Sequence, residues 1–175
     1  SRPAKAVRRR KELEPKIRQN MKLNESHPLN RQVLEHLRAR QNTAAPIAAP
    51  DSHPVPCLRL GSHPDIVARI WEELGGALPM DCRAIVYGVP ALVQPEKGLI
   101  LALAYGTAYA IRIDYKFIDP ALKAGCTLEQ TWAGGTKTKI QETLGPGWVF
   151  GHWLREEHKW LLHAYLTLPG AGQRA

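Results

Sequence analysis

Residues 82–113 read CRAIVYGVPALVQPEKGLILALAYGTAYAIRI. Short apolar runs alternate here with glycine, proline and charged pairs, which is the pattern of strands joined by tight turns. Residues 82–87 predict a strand, Gly88-Val89-Pro90 a turn, 91–94 a second short strand, and Pro95-Glu96-Lys97-Gly98 a hairpin turn. Two further strands, 99–105 and 108–114, are predicted on either side of Gly106-Thr107. This last pair is apolar at successive positions, leaving no solvent side, so a sheet covered on both faces is expected. Arg112 and Asp114 break the pattern near its end.

Helical signals lie on both sides of this stretch. Upstream, Ser62 or His63 is expected to cap a helix whose buried face is Ile66, Val67, Ile70, Trp71 and Leu74, stopped at Gly75-Gly76. Downstream, Asp119-Pro120 opens a short helix closed by Gly125, and Thr127 with Glu129-Gln130 is expected to cap another turn. A short strand 148–150 precedes a last helix over 153–166. Its apolar line would carry Trp153, Leu154, Glu157, Trp160, Leu161 and Ala164, with Pro169-Gly170 ending it. The fold class that follows is α+β: a small, mostly antiparallel sheet of three or four strands packed with helices.

The expected organisation is a basic flexible arm over 1–22, a short amphipathic helix over 23–40, a Pro/Ala-rich linker or strap over 41–56, the α+β domain over 57–168, and a tail over 169–175, with the arm and short helix lying against the domain or against a neighbour. Charge supports this division. Residues 1–50 hold 12 Lys/Arg against 4 Glu, a net +8, whereas residues 51–175 hold 12 against 12. The chain is therefore a neutral body with a positive arm, and its high overall pI reflects the arm alone.

Composition excludes several classes. Cys57, Cys82 and Cys126 are an odd number at wide spacing without a CxxC pair, which makes neither a disulfide framework nor a zinc knuckle. They read as small buried hydrophobes in a reducing compartment, and a cytoplasmic location is expected. No run of about 18 apolar residues is present to span a membrane. No signal-peptide core follows the charged start. GxSxG, HExxH and Walker A patterns are all absent, so no metal and no cofactor is expected.

The candidate binding residues are cationic. Arg8, Arg9, Arg10 and Lys11 are four consecutive cations, with Lys16 and Arg18 close behind. Such a segment suits the phosphate backbone of nucleic acid, or failing that an acidic protein surface, within a larger assembly. The first aromatic residue in the chain is Trp71, so the arm supplies affinity and no base stacking. The loop Gly134-Gly135-Thr136-Lys137-Thr138-Lys139 adds Lys137 and Lys139, although alternating Thr and Lys better suits a solvent-exposed strand edge. Trp153 and Trp160, seven apart in the last helix, would share a face that serves either as a core seal or as a partner surface. The competing reading is a small intracellular enzyme with a pocket near the stretch from Tyr105 to Arg112, the loop from Gly134 to Lys139, and His152.

Overall fold

A computed structural model describes residues 23–40, 47–48 and 62–171. At its centre is an antiparallel sheet with strand order β1-β2-β3-β4-β5-β8. The strands are Ile47–Ala48 (β1), Arg83–Val86 (β2), Val89–Gln94 (β3), Leu99–Tyr105 (β4), Ala108–Arg112 (β5) and Trp148–Phe150 (β8). A separate hairpin joins Glu129–Thr131 (β6) to Lys137–Lys139 (β7). The fold is α+β as expected, but the central sheet is wider than three or four strands. β8 pairs with β5 through Arg112↔Trp148 and Ala110↔Phe150, and the two-residue β1 adds to β2 at the other edge.

Local chemistry explains most turns. Tyr87 and Gly88 both have positive φ, 48° and 79°, the type I′ geometry whose twist matches the flanking strands. The turn thus falls at 87–88 rather than at 88–90, and Val89 and Pro90 belong to β3. Pro90 is tolerated because the β3–β4 ladder begins only at Ala91↔Leu103. Thr127 and Glu129-Gln130 do not cap a helical turn. Thr127 exchanges backbone bonds with Phe150, and 129–131 is a strand. An exposed strand with no buried side lacks the apolar alternation that would have marked it.

Helices cover both faces of the sheet. A 3-10 turn, Pro28–Asn30, leads into α1 (Arg31–Arg40), which buries Val33, Leu34 and Leu37. α2 begins at Pro64–Ala68 behind a His63 cap and continues as a π-helical segment, Arg69–Leu74. α3 is Ile118–Ala124, α4 is Ile140–Leu144 and α5 is Glu156–Ala171. The register puts Tyr105 opposite Ala108 and Ala104 opposite Tyr109, so Tyr105 and Tyr109 point to opposite faces. α2 and α5 pack on the Tyr109 face, while α1, α4 and the β6–β7 hairpin close the other around Phe150 and Trp148. Leu99, Ile100, Leu101 and Leu103 of β4 are wholly buried between these layers.

Polar side chains pin the N-terminal segment into this core. Buried Asn30 donates to the Asn24 and Gly98 carbonyls and accepts from the Ile100 N–H. Arg112, only 2% exposed, donates from Nε to the Ile100 carbonyl and from Nη2 to the Leu29 carbonyl, and lies over the Trp148 ring at 4.7 Å. Burial alone pushes its pKa down to about 9. His27 accepts from the Leu29 N–H at Nδ1, which leaves Nε2–H to donate to the Pro169 carbonyl at 2.9 Å. That contact lies inside the last turn of α5. The helix runs through Pro169 and Gly170 to Ala171 rather than ending there.

Candidate functional site

The structure distributes the sequence-predicted residues over several places. Arg8, Arg9, Arg10, Lys11, Lys16 and Arg18 lie outside the described residues. Lys137 and Lys139 are exposed on β7, and Lys137 reaches Glu129 across the hairpin at 3.6 Å. Thr138, between them, points the other way and accepts from Trp132 Nε1 at 2.7 Å. Trp132 stacks on Tyr105 with ring centres 5.6 Å apart and 14° between planes. His36 of α1 stacks on Tyr105 as well, at 5.7 Å and 12°, and the Arg40 guanidinium lies 5.2 Å from the Tyr105 ring centre. Burial, with the nearby Arg40 charge, lowers the His36 pKa. The outcome is an aromatic stack with Arg40 beside it where α1 meets the hairpin, while Lys137 and Lys139 point away from the stack.

Of the residues named for an enzyme pocket, Tyr105 and the 134–139 loop meet through Trp132 and Thr138, but Arg112 and His152 do not join them. Tyr105 and Arg112 share a face of the sheet but stand four residues apart along it, roughly 13 Å. Arg112 is sealed beneath the Pro28–Asn30 turn, and His152 belongs to the segment on the Tyr109 side. A shallow surface depression lies elsewhere, between His27 and the Glu96-Lys97 turn. Among the described residues, no three His, Cys, Asp or Glu side chains are gathered to hold a metal ion.

Trp153 and Trp160 are separated as well. Trp160 is 6% exposed and stacks on Phe117 at 6.4 Å, in the core. The expectation that both tryptophans sit on one helix face is corrected, because α5 starts at Glu156 and Trp153 precedes it. Trp153 adopts φ +56°, left-handed backbone that a bulky side chain rarely occupies, and the residue is 49% exposed.

What holds Trp153 there is a buried polar network that sequence reasoning missed. Glu157 is completely buried in the first turn of α5. Its Oε1 accepts from Arg69 Nη2 at 3.0 Å and from the Tyr109 hydroxyl. Its Oε2 accepts from the His152 N–H at 2.7 Å and from the Cys126 thiol at 3.6 Å. The Tyr109 oxygen accepts in turn from the Trp153 N–H at 2.7 Å and from Arg69 Nε at 3.4 Å. Arg69 completes its set with the Leu154 carbonyl and Glu73. Gly151 and Gly125 let the chain close around this network. A Cβ on Gly151 would overlap the Tyr109 ring, and one on Gly125 would come within 2.5 Å of His152.

The electrostatics follow from burial and pairing. Desolvation disfavours the Arg69 cation, but its bonds to Glu157 and Tyr109 outweigh that and leave its pKa above the ordinary arginine value. Burial first, and the Glu157 charge second, raise the Tyr109 phenol and push the Cys126 thiol up to about 12. Both stay protonated at neutral pH and donate to Glu157. Such a network fixes geometry: its donors and acceptors are spent on one another, and a half-satisfied version would be costly. Half of a signal for it existed in the sequence. Glu157 falls in the apolar line of the last helix, where a lone charge calls for a partner, but Arg69 lies outside the α-helical stripe of Ile66, Val67, Ile70, Trp71 and Leu74 and is buried on a π-helical segment that the sequence pattern did not announce.

Searches against protein-family models, curated proteins and solved structures found no match for this chain.

Proposed function

We propose that this chain is a non-enzymatic accessory protein of a larger assembly, whose basic N-terminal arm binds the phosphate backbone of nucleic acid. One observation carries the reading: the whole net charge of +8 resides in residues 1–50, while residues 51–175 balance to zero. A fold does not ask for four consecutive cations, whereas a polyphosphate backbone rewards them through counterion release.

The test is a salt titration against duplex DNA and RNA, using the full chain and a chain beginning at Leu23. An arm neutralising about four phosphates gives a slope of log affinity against log salt near −3.6 on duplex DNA. Removing residues 1–22 should abolish most of that slope and leave sequence preference unchanged. Unchanged affinity would move the contact to Lys137 and Lys139. No binding by either chain at about 0.1 M salt would make an acidic protein surface the better partner.

A further inference from the structure

We infer that Trp153 is a stacking platform for an unpaired base of single-stranded nucleic acid, a reading that rests on the phosphate-binding role proposed for the arm. The arm contains no aromatic ring, and the first one in the chain, Trp71, is buried and donates its indole N–H to the Ala91 carbonyl. Any stacking of a base on an aromatic ring therefore comes from the body. Trp153 offers what a base needs, a large exposed ring whose position is fixed before binding.

Its fixation is unusually complete. The backbone is held at φ +56° by the N–H bond to Tyr109, the indole and the Tyr109 ring pack edge to face with centres 5.6 Å apart and 85° between planes, and the Arg69 guanidinium lies 5.5 Å from an indole ring centre. Tyr109 and Arg69 are in turn locked on wholly buried Glu157. Left-handed backbone at a bulky residue persists only where surrounding structure over-determines it, and such residues gather at ligand clamps. The π-helical segment carrying Arg69 is a second irregularity of the same kind. A rigid indole loses little entropy when a base stacks on it.

The surroundings favour a base over a protein partner. The centre of a protein interface is depleted of charge, and its anchor residue is ringed by contacts that exclude water. Trp153 is flanked in the chain instead by exposed His152, Arg155, Glu156 and Lys159, with half-buried Leu154 the one aliphatic residue among them. Aromatic rings interleaved with cations are how single strands are held, the rings taking bases and the cations taking phosphates.

The experiment titrates the full chain, Trp153→Ala, Trp153→Phe and Tyr115→Ala with oligothymidylate and, in parallel, with inorganic polyphosphate, which has the charges and no bases. Trp153→Ala should weaken oligothymidylate binding about ten-fold, leave polyphosphate binding unchanged, and keep the salt slope. Trp153→Phe should retain most of the affinity. Tyr115, exposed beside the Asp114 carboxylate, serves as the control and should show no loss. Equal loss on both polymers, or no loss on either, overturns the stacking role while the arm's role stands. Failure of the unmodified chain to bind either polymer overturns both. A Trp153→Ala chain that binds oligothymidylate normally but no longer associates with a protein partner would place a protein on this surface and also overturn the inference.

Discussion

Cys126 shows how one residue's environment sets a measurable property of the whole chain. Its thiol is 3% exposed and donates to Glu157, and burial together with that charge pushes its pKa up to about 12 from an ordinary value near 9. The protonated form is the one the fold favours. Its stabilising contribution is therefore complete below pH 9, where the unfolded thiol is also protonated, and is lost as pH rises from 9 toward 12. Denaturant unfolding across that window should show Cys126→Ala losing stability less steeply than the parent, by up to about 1.4 kcal/mol per pH unit. Identical slopes in the two proteins would mean that Cys126 does not stay a buried thiol. At this scale little could be read ahead of the structure. The sequence predicts Cys82 and Cys126 as buried hydrophobes, and both are buried. That Cys126 would meet Glu157, 31 positions away, depends on how α5 lies across the sheet, and no local pattern encodes it.

At the scale of elements, Trp160 is the clearest test. It lies on α5 with Leu161 and Ala164, all three buried, and stacks on Phe117. Trp160→Ala should cost about 3–5 kcal/mol through lost burial and the cavity left behind, read as a fall in the urea midpoint with an unchanged m-value. A midpoint that stays put would remove Trp160 from the core. Elements were legible where a turn residue or an apolar period marked them. Gly106-Thr107 set the β4–β5 hairpin, His63 capped α2, and Gly125, at φ +126°, closed α3. Three features were not legible. The β6 strand is short and polar, the start of α5 depends on Trp153 being held left-handed by Tyr109, and the place of 148–150 beside β5 is a long-range pairing. Each is decided by tertiary contact rather than by local preference.

For the whole molecule, the decisive fact is that the core crosses the boundary that composition suggests near residue 57. Val33, Leu34 and Leu37 of α1 are wholly or almost wholly buried in the same cluster as β4 and α4. Asn30 and the Leu29 carbonyl are bonded into β4 and to Arg112, and His27 binds the last turn of α5. The body of the protein therefore includes residues 27–37, and two truncations should behave very differently. A chain starting at Leu23 keeps every one of these contacts, so its thermal midpoint should match the full chain within a few degrees. A chain starting at residue 41 loses three buried aliphatic side chains, each worth about 2–5 kcal/mol where such a group is deleted. It also strips the acceptor from the buried Arg112 Nη2 and uncovers Ile140 and Leu144. That loss is comparable with the roughly 5–15 kcal/mol that holds a domain together, so calorimetry should find no cooperative transition. A cooperative transition near the parent midpoint in the shorter chain would show instead that the sheet with α2 to α5 suffices alone. The distinction matters for the arm. If the chain from Leu23 melts like the parent, its lost salt slope measures removed charge. Binding lost by a chain from residue 41 would measure only unfolding.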